Sequence, residues 1–245
     1  MGSITESQLP AVSPELREIF HTMEQTFSST SLGVERWYIV AVATLAGGND
    51  PELCAQLYLY LISRPDFSTH AQRQAMIRRV REALVKAVSI VGVCRPLEAI
   101  MAINEFEQDE DKDLSSTREG WQCDEDNLER GMGWMKKLYS HNTDSTVNFF
   151  KDHKDFMWIS KHITYGLYLS DRQVLDDVDT QMVVLPAIMI QNLPKETHWH
   201  IRGTRRLGVS KKEVQIIWDS VQTIAKYLGL KLHRVPTVDE IEHDV

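Results

Sequence analysis

The sequence predicts an all-α protein, and three observations carry that prediction. Helix-capping signals recur along the chain, apolar residues return at steps of three and four, and no Asn-Gly or Asp-Gly turn separates alternating runs. Ser13-Pro14-Glu15 signals the first helix: an N-cap, a first-turn proline and an acid that suits the helix dipole. Asp50-Pro51-Glu52 repeats the trio. Across Met76–Val91, apolar Met76, Val80, Ala83, Leu84, Ala87, Val88 and Val91 form the stripe of an amphipathic helix. Met182–Ile190 admits two readings. Its valines and isoleucines suit a buried strand, but Pro186 removes a ladder donor from a central strand and kinks a helix; helix is favoured. A further helix starts near Pro194 and stops before Gly208. Ser210-Lys211-Lys212-Glu213 is a capping box that opens the next helix, with Ile217, Val221, Ile224, Ala225 and Leu228 as its stripe, and Thr237-Val238-Asp239-Glu240 is a second box.

With 245 residues, 42% of them hydrophobic, the chain has material for a core without disulfide or metal staples. Residues 104–127 are rich in acids, Ser, Thr and Gly, with little apolar material before Trp121, and read as a solvated, mobile connector. It separates an N-terminal helical half (1–103) from a C-terminal half (128–245), which together form one compact domain. A faint internal repeat supports the division. Arg36–Ala46 followed by Asn49-Asp50-Pro51-Glu52 resembles Thr180–Ile190 followed by Asn192-Leu193-Pro194-Lys195-Glu196, and Val80–Gly92 matches Ile217–Gly229 in its apolar positions. Any two amphipathic helices align comparably, so the reading of two pseudo-repeated halves is an expectation for the structure to meet.

Net charge −8 argues against nucleic-acid binding, which needs a basic face. The longest apolar runs, Tyr38–Ala46 and Met182–Ile190, are about half of the roughly 20 residues that span a bilayer. No basic cluster and apolar stretch open the chain over Met1–Pro10, and His243-Asp244-Val245 is not a peroxisomal or retention tripeptide. Cys54, Cys94 and Cys123 contain no CxxC pair and favour a reducing compartment. The expected location is the cytoplasm.

Asn192–Ser210, NLPKETHWHIRGTRRLGVS, is the most informative stretch. On a helix from Pro194, Glu196 and His200 are four residues apart and stack on one face. A carboxylate beside an imidazole fixes its tautomer and raises its pKa, which suits general acid–base work. Gly203 lets a substrate or another helix approach. Arg202, Arg205 and Arg206 offer positive charge to a carboxylate in fork geometry. Against this, a Glu–His pair at helical spacing is often a surface ion pair, and three arginines around one turn are often a solvated face. No metal is expected. His198 and His200 lie on opposite sides of a helix, there is no HExxH, and Glu240-Ile241-Glu242-His243 is a single ExxH copy where di-iron bundles need two. GxGxxG, GxxxxGK[ST] and GxSxG are absent too. Trp37, Trp158, Trp199 and Trp218 read most simply as core or groove aromatics.

Thr180–Leu230 resembles the carboxymuconolactone decarboxylase family, relatives of the alkylhydroperoxidase AhpD. The resemblance runs through TQMVVLPAIMIQN, HWHIRGTRRLGVSKKE and VQTIAKYLGL, with His200, Gly203, Gly208-Val209-Ser210, Glu213 and Tyr227-x-Gly229 at the motif positions. RGMGWMKKLY and YGLYLSD are similar to long fungal members. The resemblance implies an antiparallel all-α fold of the AhpD type, a symmetric oligomer with a dimer favoured, and a cofactor-independent site between helices. Leu193 and Glu196 stand where the peroxidase branch carries its two cysteines, and Gln181 stands for the glutamate of the preceding helix. Without a thiolate pair, peroxide reduction has no nucleophile. A thiol-dependent activity of Cys94 or Cys54 is disfavoured because an isolated cysteine among apolar residues is usually inert packing.

The expected function is therefore a cofactor-independent lyase-type enzyme acting on an oxygenated carboxylic acid, lactone or polyketide-like small molecule. Decarboxylation, dehydration and isomerisation all pass through an enolate. His200 transfers the proton, Glu196 orients it, and Arg202, Arg205, Trp199, Gln181 and His198 bind substrate. The alternative is a non-catalytic helical module for binding or assembly, favoured by a closed core around His200 and disfavoured by a pocket lined with Trp199, His200 and the arginines.

Overall fold

A computed structural model describes residues 9–245, so most of the Met1–Pro10 reading lies outside the described residues. All regular structure among them is helical. The α-helices are α1 (Pro14–Ser28), α2 (Arg36–Gly47), α3 (Cys54–Ile62), α4 (His70–Val91), α5 (Cys94–Asn104), α6 (Glu125–Tyr139), α7 (Thr143–Phe149), α8 (Lys154–Trp158), α9 (Asp177–Met189), α10 (Pro194–Arg206), α11 (Lys211–Tyr227) and α12 (Val238–Ile241). A π-helix, Ile159–Tyr168, continues from α8. No described helix is long and apolar enough to cross a membrane.

The predicted caps act as local chemistry requires. Ser13, Ser210 and Thr237 each accept a backbone N–H of the first turn, and Glu213 and Glu240 close the two boxes. Asp50 makes no side-chain cap; its proline trio opens a short 3-10 turn, Pro51–Leu53, before α3. The amphipathic stripe from Met76 lies in a helix that begins earlier, at a Thr69–Gln72 capping box. Met182–Ile190 is helical and not a strand: α9 runs through Pro186, opened by an Asp176–Asp179 box. One missing N–H is tolerable where every residue from Asp179 to Met189 is buried and apolar packing holds the helix.

α2 and α9 form the centre. Every residue of α2 after Arg36 is buried, and the helix packs most extensively on α9. Their close approach needs a missing side chain: a Cβ on Gly47 would lie 2.6 Å from Ile190 Cγ2. Arg36 fastens the pair at one end, donating through Nε to Asp179 (2.7 Å) and through Nη2 to Asp176 (2.8 Å). α4 and α11, which carry the two matched blocks of the sequence repeat, each touch both central helices. The main core runs from Val12 to Ile241 and so draws on residues on both sides of the connector. A second, smaller core joins Trp134, Met135, Leu138 and Tyr139 of α6 to Tyr165, Leu169 and the Val184 and Ile188 side chains of α9.

The connector is pinned and not free. Asp111 is buried against His70 and Arg73 of α4, Arg81 grips Glu107 at 2.9 and 3.0 Å, and Arg78 reaches Asp113 at 2.6 Å. Arg118 in turn donates a two-point fork to Glu82 of α4, both bonds 2.7 Å. Most of the stretch is exposed, as its composition predicts, and three of its acids, Glu107, Asp111 and Asp113, are counter-charges of α4.

Candidate functional site

α10 carries the residues that the sequence singles out. Pro194 sits in its first turn, and it packs on α9 and α6 with Thr197, His200, Ile201, Arg202, Gly203 and Thr204 buried. Gly203 admits a helix and not a ligand: a Cβ there would lie 3.2 Å from Leu138 Cδ2 of α6.

His200 is only 6% exposed. Its Nδ1 lies 3.2 Å from Oε1 of Gln181 on α9, and Thr204 Oγ1, also 3.2 Å from that oxygen, donates to the His200 carbonyl at 2.7 Å. With Oε1 as acceptor, Nδ1 carries the proton and Nε2 keeps its lone pair, the arrangement of a base. Burial, with no carboxylate beside the ring, pushes the imidazole pKa down to about 4, so His200 is neutral at pH 7. Gln181 Nε2 is buried without a partner. Tyr139 meets the edges of both His200 and Trp199 at 6.4 Å between ring centroids, and its hydroxyl is 2.6 Å from that of Tyr165. Burial raises the pKa of both phenols, so both remain protonated and one donates to the other.

Glu196 is half-buried and makes no hydrogen bond to His200. Helical spacing puts the two residues on one face, but the ring is answered by Gln181 across the α9–α10 contact. The charge of Glu196 bears on Tyr139 instead, where it opposes that of Arg202. The orienting role expected of Glu196 therefore has Gln181 as its geometric holder.

The arginines are occupied by the chain's last residues. Arg202 pairs with Asp244, which also accepts from His198 Nε2 at 2.7 Å, while Arg202 Nε is buried and unpartnered. Arg205 forks onto Glu242 at 3.0 and 2.8 Å. Arg206 donates to the Tyr139 carbonyl (2.7 Å) and to Asn142 (2.9 Å). The hydrogen bond from His198 is the largest influence holding the Asp244 carboxyl below its ordinary range. Trp199 and His198 line an apolar cleft of about 500 Å³ with Phe149, Pro194, Lys195 and Pro236. His200 does not line that cleft.

Sequence reasoning missed Tyr139, Tyr165, Asp244 and Glu242 as neighbours of the site. Only Thr204, one helical turn beyond His200, carried a local signal. Among the described residues no three His, Cys, Asp or Glu side chains converge as a metal site. Glu240 is engaged in the cap of α12. Cys54 is buried and its thiol pKa is driven up by burial, whereas Cys94 and Cys123 are exposed free thiols.

These features define an all-helical protein with a neutral histidine in a buried polar cluster between two helices. Among curated proteins the chain is similar to "Peroxisomal protein 2" of Schizosaccharomyces pombe, 23% identical over 199 residues, covering 71% of this chain and 88% of that protein. No family model matches the chain, and no solved structure matches it.

Proposed function

We propose that the chain is a cofactor-independent acid–base enzyme of the lyase type, acting on an oxygenated carboxylic acid, lactone or polyketide-like molecule. The observation that carries this reading is the buried His200–Gln181–Thr204 cluster beside Tyr139 and Tyr165. Five polar side chains in an apolar interior cost stability, and the Gln181 amide nitrogen is left without a partner. A histidine that burial has shifted strongly, set in such a cluster, supports a functional reading.

His200 acts through Nε2. A neutral ring starts as a base, so it takes a proton from the carbon next to a carbonyl, and the electron pair of the broken C–H bond becomes the enolate. The imidazolium then returns its proton to another carbon in isomerisation, or to a departing hydroxyl in dehydration. Decarboxylation needs an acid ready for the carbanion and suits a neutral ring less. An anionic substrate beside the ring raises its pKa toward the working range. Arg202 and Arg205 receive the substrate carboxylate when Asp244 and Glu242 withdraw.

Incubation with keto-acids, hydroxy-acids and lactones, followed by product mass, tests the reading: loss of water or an unchanged mass with a shifted double bond is expected. His200→Ala in a folded protein lowers turnover by about 100-fold or more; unchanged turnover removes His200 from the chemistry.

A second reading, a non-catalytic helical module, is favoured by two observations: His200 is buried and does not line the Trp199 cleft, and Arg202 and Arg205 are already paired with the chain's own carboxylates. No turnover across the whole substrate panel would establish it over the first. On the strength of the relative's name we also propose a peroxisomal location in place of the cytoplasm, to be read from co-localisation of a tagged chain with a peroxisomal marker. A homodimer is the proposed assembly, checked by light scattering.

A further inference from the structure

The roomiest cleft described lies away from His200. It measures about 580 Å³ and is walled by Trp121 of the connector, by Arg130, Trp134 and Lys137 of α6, and by the segment from Ser170 to Asp177. That volume is within the range of small-molecule sites, roughly 300–1,000 Å³.

Its walls are two indoles, each covered by a guanidinium. Arg130 lies 4.3 Å from the ring centroid of Trp121, and Arg172 lies 4.2 Å from that of Trp134. Their charges are not equally met. Arg172 and Lys137 share the carboxylate of Asp177, and Asp171 is taken by Arg118, Thr117 and the backbone N–H of Gln173. Arg130 is exposed and, among the described residues, has neither an ion pair nor a hydrogen bond; it lies over the indole face of Trp121. The cleft therefore keeps a positive excess on a chain of net charge −8. Trp134 is 3% exposed and its Nε1–H has no acceptor.

We infer that this cleft binds a planar, conjugated carboxylate. A flat π-system stacks with the indole and guanidinium planes, and a carboxylate supplies the charge that Arg130 lacks. The two requirements act together: a neutral planar molecule leaves the cations unanswered, and a small aliphatic acid leaves the outer planes of the guanidinium groups without a stacking partner. The inference does not depend on the chemistry proposed for His200, because no residue is common to the two sites.

The test titrates the full chain with 2-naphthoate by calorimetry and by quenching of tryptophan fluorescence, with 2-naphthalenemethanol and acetate as comparison ligands. One equivalent of 2-naphthoate is expected to bind below about 1 mM, at least about tenfold more tightly than either comparison ligand. Arg130→Gln, an exposed substitution that leaves the core intact, is expected to weaken binding about tenfold, and Trp121→Ala to weaken it further. Absence of binding at 1 mM, equal affinity for the alcohol, or unchanged affinity in both variants overturns the inference.

Discussion

Protonation of His200 gives the sharpest test of the site. Burial holds the ring's pKa at about 4 in the folded protein, against 6.5 when unfolded. The folded pKa is the lower one, so between these two values the unfolded chain binds more protons. Stability is then fully present above pH 6.5 and is lost as pH falls toward 4. The difference corresponds to about 3 kcal/mol, a large fraction of the 5–15 kcal/mol that holds a typical domain. Other groups titrate in the same window, chiefly carboxylates, so the measurement is a comparison. Wild type and His200→Gln are unfolded in urea at pH 7.0, 6.0, 5.0 and 4.5, and the difference between their free energies is plotted. Glutamine keeps a polar side chain facing Gln181 but cannot gain a proton. Wild type is expected to lose about 2–3 kcal/mol more than the variant on acidification. Parallel curves, or an imidazole resonance of His200 that titrates near 6.5 by NMR, refute the sealed neutral ring.

Four further perturbations test the frame of the fold. Glu82→Gln removes the carboxylate shared by Arg118 and Lys86, leaving buried charge uncompensated; a loss of about 3 kcal/mol or more by urea unfolding is expected. Lys86 is fully buried and its pKa is lowered to about 8, chiefly by burial, so stability rises as pH increases from 8 toward 10.5. Lys86→Met abolishes that rise between pH 7 and 9.5. Gly131→Ala places a Cβ 2.6 Å from the Lys161 carbonyl and 2.9 Å from Gly166 N, both backbone atoms of the π-helix. It lowers stability by about 2 kcal/mol, whereas Gly133→Ala, which meets nothing within 4 Å, leaves stability unchanged or slightly raised in thermal melts. Asp244→Asn with Glu242→Gln frees the C-terminal segment. These pairs are partly solvated and cost about 1 kcal/mol or less, but limited proteolysis after α12 is expected to accelerate severalfold.

Helical periodicity and caps made most of the fold legible, because those signals are local. Ser13, Ser210 and Thr237 bond to backbone within three residues, and no distant contact is needed to read them. Pro186 left α9 ambiguous for the same reason: the packing that outweighs a lost hydrogen bond comes from α2, 140 residues away in the chain. The ties of the connector to α4 were not legible because those partners lie 26 to 41 residues upstream. At the site, the Glu196–His200 spacing was legible and its consequence was not. Position on a helix says which residues share a face, but the choice between Glu196 and Gln181 as ring partner depends on how α9 lies against α10. Tyr139 and Asp244 arrive from outside the α9–α10 pair altogether.

The location of His200 follows from how α9 divides its side chains. Val184 and Ile188 of this helix enter the smaller core, Met182, Val183 and Leu185 enter the larger, and Gln181 turns its amide toward α10. The polar cluster thus lies beside the helix that serves both cores, where Tyr139 and Tyr165 of the smaller core meet α10. The cluster is closed beneath residues that are themselves held only at the edge. Arg202 is buried, yet its carboxylate partner belongs to a terminal segment whose ion pairs are partly exposed. The residues beyond α12 hold to α10 through ion pairs that are partly solvated and worth far less than apolar packing, while Val238 and Ile241 of α12 stay buried in the larger core.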